Sequence, residues 1–132
     1  MAEQIAYAQE PELRADEFLD LVQQVWPAAF SSAATAAALR NTINLTARAE
    51  GRLVGCARLL TDGYFFSTVT EILVAPELRR RGIGSELMRR AFEASPCTLS
   101  FGAQPQNERF FEDLGYARTM SFFQKRKDRL RE

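Results

Sequence analysis

The chain contains no histidine among its 132 residues. That absence removes imidazole zinc sites and Ser-His-Asp triads, and leaves no imidazole to activate a cysteine nucleophile. Cysteine is scarce: Cys56 and Cys97 are the only two. They do not make a disulfide framework, and their apolar neighbours mark them as reduced core residues of a cytosolic protein. Neither sign of charge is in excess, since 17 Lys and Arg balance 17 Asp and Glu. No global field therefore draws the chain to nucleic acid or to an anionic membrane. No apolar run is long enough to span a bilayer, and the N-terminus lacks a basic, apolar signal pattern. The expected location is cytoplasmic. There is no internal repeat and no linker rich in Gly, Ser or Pro. A chain of this length suits one domain, expected over residues 1–132.

The composition is globular, with 46% hydrophobic and 26% charged residues. Such a chain can bury about two-thirds of its unfolded surface. Ile5 to Ala8 reads as a short strand. Pro11 to Trp26 carries Leu13, Phe18, Leu21, Val22 and Val25 at helical spacing, and Pro27 ends it. Ser31 or Ser32 can cap an Ala-rich helix to about Arg40. This region is the expected lid over one side of a site. Asn44 to Ala49, Glu50-Gly51 and Arg52 to Thr61 read as a hairpin, and Asp62-Gly63 as a tight turn into a strand from Tyr64 to Val74. Gly84 to Phe92 is a helix with Ile83, Leu87, Met88, Ala91 and Phe92 on one stripe. Thr98 to Ala103 is a short strand. Phe110, Phe111 and Leu114 mark a last helix that Gly115 closes, and Ser121 to Lys125 a last strand. The basic cluster Lys125 to Arg131 reads as a solvated end.

The richest stretch runs from Val74 to Ser85. An apolar run, Ile72, Leu73 and Val74, stops at Pro76. Arg79, Arg80 and Arg81 follow, then Gly82, Ile83, Gly84 and Ser85 open a helix. Glycines let backbone approach a ligand closely, and the amides and dipole of a new helix favour an anion. Arginine adds a planar grip on phosphate. The order is that of a phosphate cradle.

The motif Arg79-x-x-Gly82-x-Gly84, preceded by Val74-x-Pro76, resembles the acyl-CoA signature of the GNAT superfamily of N-acyltransferases. Phe110-Phe111-Glu112-Asp113-Leu114-Gly115-Tyr116 resembles that family's Phe-Tyr-Glu-x-x-Gly-Phe segment. The element order β-α-α-β-β-β-α-β-α-β is similar to the family's over nearly the whole chain. The resemblance implies an α/β (α+β) GNAT fold. Its central sheet is mixed and mostly antiparallel, flanked by helices, with a splayed parallel strand pair at the cofactor site.

It also implies acetyl-CoA as co-substrate and a small-molecule or peptide amine as acceptor, with direct attack in a ternary complex and no metal. The resemblance assigns the pyrophosphate to the amides of Arg79, Arg80, Arg81, Gly82, Ile83, Gly84 and Ser85. It assigns the pantetheine arm to the strand of Ile72, Leu73 and Val74, and the oxyanion to the Val74 N–H. Gln104 and Phe111 register with family positions near the cofactor, where Phe111 replaces the usual general-acid tyrosine. Asn107 is open to two readings, pantetheine contact or helix N-cap. Glu71, a carboxylate in an apolar strand, is a candidate base acting through water or a plain surface charge. Arg58 either recognises an acceptor carboxylate or pairs with Asp62 or Glu71. Tyr64, Phe65, Phe66, Phe101, Phe122 and Phe123 read as core or dimer surface, so a homodimer is one expectation. A non-catalytic acyl-CoA sensor is the rival function. An RNA-directed enzyme fits poorly with zero net charge.

Overall fold

The computed structural model describes residues 4–128. Five strands form one sheet in the order β1-β2-β3-β4-β5: β1 Ile5–Gln9, β2 Ile43–Ala49, β3 Arg52–Thr61, β4 Ser67–Val74 and β5 Leu99–Ser100. The first four pair antiparallel, and β5 pairs with β4 in parallel at Ser67↔Leu99 and Thr68↔Ser100. Helices α1 Ala15–Val25 and α2 Ser32–Arg40 cover one face. Helix α3 Ile83–Ala94 covers the other, and α4 Glu108–Asp113 follows β5.

The local chemistry explains most boundaries. Pro11 sits in a turn closed by Leu13 N–H on the Glu10 carbonyl. Helix α1 therefore starts at Ala15 rather than Pro11, with Asp16 and Glu17 in its first turn facing the positive dipole end. Ser31 caps α2: its Oγ accepts from Ala34 N–H at 3.0 Å. Glu50 and Gly51 both hold positive φ, 50° and 81°, the backbone of a two-residue hairpin turn between β2 and β3. The Asp62-Gly63 turn is longer than expected. Asp62 Oδ1 accepts from the N–H groups of Tyr64, Phe65 and Phe66, which holds five residues out of the ladder, so β4 begins at Ser67.

Helix α3 buries Ile83, Leu87, Met88 and Ala91 against the sheet. Each large side chain stabilises by about 1.5–3 kcal/mol, far above what the solvent-accessible Glu86–Arg89 and half-buried Glu86–Arg90 pairs contribute. Phe92 leaves that stripe and is 60% exposed. Gly55 in β3 makes the close packing feasible, because a Cβ there would lie 3.0 Å from Ile83 and 3.1 Å from Leu87.

Two expected strands shrink or vanish. Of Thr98 to Ala103 only Leu99–Ser100 pair. Just beyond, a Cβ on Gly102 would meet the Phe122 ring at 3.2 Å, so that ring covers the chain where it leaves β4. Ser121 to Lys125 forms no strand: Phe122 and Phe123 are 73% and 90% exposed, and no ladder satisfies that backbone. Arg129 and Arg131 of the terminal basic cluster lie outside the described residues.

Candidate functional site

Strand β4 has one paired edge and one open edge beyond Thr68. The Ala75 N–H donates to the Val54 carbonyl on the β3 side at 2.8 Å. Backbone groups alternate along an antiparallel strand, so Leu73 and Glu71 also bond towards β3. The N–H and C=O of Ile72 and Val74 then point to the open edge, where β5 has already turned away after Ser100. Unpaired strand groups are a template for another extended backbone. The parallel pair is thus splayed, and the Val74 N–H lies in the gap.

At the end of that gap the chain makes a short 3-10 turn, Pro76–Leu78, and the basic loop begins. Gly82 takes φ 81° and opens α3. The first intrahelical bond is Glu86 N–H to the Gly82 carbonyl, which leaves the amides of Ile83, Gly84 and Ser85 without helical partners. Arg79, Arg80 and Arg81 are all exposed, and none makes an ion pair among the described residues. Nothing within 4 Å would meet a Cβ at Gly82. Open backbone, free amides and unspent guanidinium charge fit a diphosphate-bearing group.

Gly84 packs differently. A Cβ there would stand 3.4 Å from Phe110 and 3.8 Å from both Ile72 and Val74. Side chains of Ile72 and Val74 therefore share the α3 face of the sheet with Phe110, which is 39% exposed. Phe111 is the buried ring, edge-on to Phe101 at 4.7 Å. Phe110, to which the sequence assigned a place in the last helix but no site role, is the ring beside Gly84. The sequence signal was its adjacency to Phe111, but only packing tells which of two neighbouring rings turns inward. Tyr116 packs on Phe101 at 5.0 Å, and burial raises its phenol above the ordinary 10.0. Gln104 and Asn107 bracket an exposed 3-10 turn after β5. Asn107 occupies the N-cap position of α4 without a side-chain cap bond.

Glu71 and Leu73 point to the opposite face, towards α1 and α2. Arg58 of β3 holds the Glu71 carboxylate with both ends of its fork: Nε donates at 2.9 and 2.7 Å, and Nη2 at 2.6 Å. Thr70 Oγ1 adds a third donor at 3.0 Å. Arg58 also lies 5.6 Å from the centroid of the Phe18 ring. The two charged side chains are 17% and 14% exposed. Thr70 is the extra residue of a bulge, because the register steps from Arg58↔Glu71 to Leu59↔Val69. Of the two readings of Arg58, pairing with Glu71 is the observed one, and Asp62 instead serves its own turn.

The ion pair forms one wall of a cleft of about 320 Å³ between α1, α2, β3 and β4. Phe18, Val22, Trp26 and Phe30 form much of the rest. The i, i+4, i+8 spacing of Phe18, Val22 and Trp26 was visible in the sequence, but it reads equally as an ordinary core stripe.

Comparisons with known proteins agree with this geometry. A family model described as an acetyltransferase (GNAT) domain matches residues 40–118. The N-acetyltransferase ycf52 of Pyropia yezoensis is 28% identical over 72 residues, covering 52% of this chain and 41% of that protein. The GCN5-related N-acetyltransferase 2, chloroplastic, of Arabidopsis thaliana is 31% identical over 71 residues, covering 51% of this chain and 28% of its own length. The chain thus aligns with less than half the length of these curated relatives. Among solved structures, a GNAT family acetyltransferase from Streptococcus pneumoniae superposes with TM-score 0.76 at 23% identity, covering 94% of this chain and all of that one. The aminoglycoside N-acetyltransferase AAC(6')-Iy in complex with CoA superposes with TM-score 0.75 at 18% identity, covering 96% and 97%.

Proposed function

The chain belongs to the GNAT acetyltransferase family, and on that premise we propose that it moves an acetyl group from acetyl-CoA to an amine by direct attack in a ternary complex. The observation that carries this reading is the open edge of β4 at Ile72 and Val74, running straight into the Gly82 turn and the free amides of α3. Pantetheine would complete the sheet at that edge, and the pyrophosphate would rest on the amides from Gly82 to Ser85, with Arg79 to Arg81 supplying charge. A CoA complex of a structural neighbour supports the choice of donor.

The amine nitrogen attacks the thioester carbonyl carbon, and the carbonyl oxygen gathers charge against the Val74 N–H. Such a donor contributes about 3–4 kcal/mol to the transition state. The C–S bond then breaks, and the sulfur leaves as thiolate. The amine proton passes to water held by Glu71. Water also protonates the thiolate, since Phe111 has no hydroxyl to offer.

The test is calorimetric titration with CoA, followed by thiol release from acetyl-CoA over an amine panel. No CoA binding at millimolar ligand would sink the reading. A second reading is an acyl-CoA sensor without turnover. It is favoured by Phe111 and by a Glu71 carboxylate so fully engaged by Arg58. CoA binding with no thiol release above the protein-free rate selects it.

A further inference from the structure

Taking the acyl-transfer reading as its premise, we infer that the acceptor is a compact amine with a single amino group on an uncharged apolar body. Its amino end would face Glu71, and its body would fill the cleft among Phe18, Val22, Trp26 and Phe30.

Among the described residues the lining carries two charges, Arg58 and Glu71, and they neutralise each other. None of those residues offers an unpaired ion to hold an acceptor's carboxylate or a second ammonium. The two lining hydroxyls are occupied as donors. Thr35 Oγ1 donates to the Ser31 carbonyl at 2.8 Å, and Thr70 Oγ1 to the Glu71 carboxylate at 3.0 Å. Every other described lining side chain is apolar apart from the single indole N–H of Trp26. A polyhydroxylated or polycationic acceptor would bury several groups without partners, each costing about 1–3 kcal/mol. An apolar body loses nothing and gains by burial. The volume, about 320 Å³, lies at the small end of ligand pockets, which span roughly 300–1,000 Å³. A single ring fits that space better than an oligosaccharide. The cleft ends on β4, where Glu71 is three residues from Val74, so an amine there lies beside the strand edge that would hold the thioester. The neighbour that acts on aminoglycosides shares the fold; the chemistry of this cleft points to a different acceptor.

The experiment measures acetyl transfer to benzylamine and cyclohexylmethylamine against spermidine, phenylalanine and kanamycin, with each amine also titrated onto the preformed CoA complex. The expected kcat/KM for the two apolar amines exceeds the others by at least about 100-fold, the scale on which unpaired polar groups discriminate. Phenylalanine is the sharpest comparison, because it sets a carboxylate on a similar body. Ala38→Phe and Leu19→Phe each push a ring into the cleft from α2 or α1. At least one should stay folded and lose amine binding while CoA binding is unchanged. Spermidine, phenylalanine or kanamycin equalling benzylamine would overturn the assignment. So would CoA binding with no benzylamine binding at 10 mM, about the weak limit of a useful site. A failure to bind CoA at all would instead remove the acyl-transfer reading beneath it.

Discussion

Glu71 works under constraint, because Arg58 and Thr70 fill most of its acceptor sites and leave room for little more than one water. Replacing it with glutamine strips Arg58 of its counter-charge. We expect a stability loss of about 1–3 kcal/mol for the polar partner left behind, below the cost of breaking a fully buried pair, because both side chains keep some exposure. The kcat/KM of Glu71→Gln should also fall by about 10²-fold. That loss should shrink as pH rises towards the amine's own pKa, about 10.4 for a lysine-like amine, where the neutral nucleophile is already abundant. Parallel pH–rate profiles and thermal melts separate the two effects, and a rate loss that stays flat with pH would reduce Glu71 to a positioning group. The cysteines give a simpler prediction at the same scale. Burial, and then the Glu71 charge, push the Cys56 thiol up to about 12, whereas Cys97 is partly exposed. A disulfide reagent at neutral pH should modify one thiol in the native protein and two after denaturation. Two fast thiols in the native protein would contradict the packing around Cys56.

The proposed cradle contains two glycines in different surroundings at the level of the loop and α3. Gly82 holds φ 81° with open space around it, so Gly82→Ala should destabilise by about 1–2 kcal/mol through backbone strain alone. Gly84 has no positive φ, and its added methyl would make only ordinary contact with Phe110. Gly84→Ala should therefore melt no lower than wild type, with a gain of up to about 1 kcal/mol from the restricted unfolded chain. It should still weaken CoA by about tenfold or more, because the methyl stands beside Ile72 and Val74 at the strand edge that would hold pantetheine. Melting curves and CoA titrations of the two variants check this, and normal CoA affinity in Gly84→Ala would move the pantetheine arm away from this end of β4. The sequence made this element readable because glycine and arginine spacing is local chemistry. The Glu50-Gly51 turn and the bounds of β3 were readable for the same reason. Strand β5 and the Ser121 to Lys125 segment were overcalled because pairing needs a partner edge, which no local pattern supplies. The Thr70 bulge and the choice between Phe110 and Phe111 were invisible for a related reason: each is decided by what packs across the sheet.

Across the whole molecule, an ionic cluster links the sheet to α1 beside the helix's buried Phe18, Leu21 and Val22. Arg48 of β2 donates from Nε and Nη2 to Glu10 just past β1, each at 2.9 Å, and from Nη1 to Glu17 of α1 at 2.6 Å. Glu10 also accepts from Thr46. The cluster joins an edge strand, its neighbour and the first helix, whose Phe18 and Val22 line the cleft. Hydrogen bonds from Arg48, with a smaller share from Thr46, hold the Glu10 carboxyl below its ordinary 4.5 despite partial burial. A carboxylate with a depressed folded pKa stabilises the fold at any pH above its unfolded value, and that contribution is lost as pH falls through the folded value. Glu10→Gln should therefore melt below wild type at pH 7. The gap should stay constant down to about pH 4.5 and close as acid titrates the wild-type carboxylate below that point. Glu17 remains beside Arg48 in the variant, so the guanidinium is not left wholly unpaired and the variant should still fold. Melts of both proteins between pH 7 and pH 3 test this tie. A gap that persists unchanged at the acid end would mean that Glu10 acts through packing and geometry, and that charge does not fasten the first helix to the sheet.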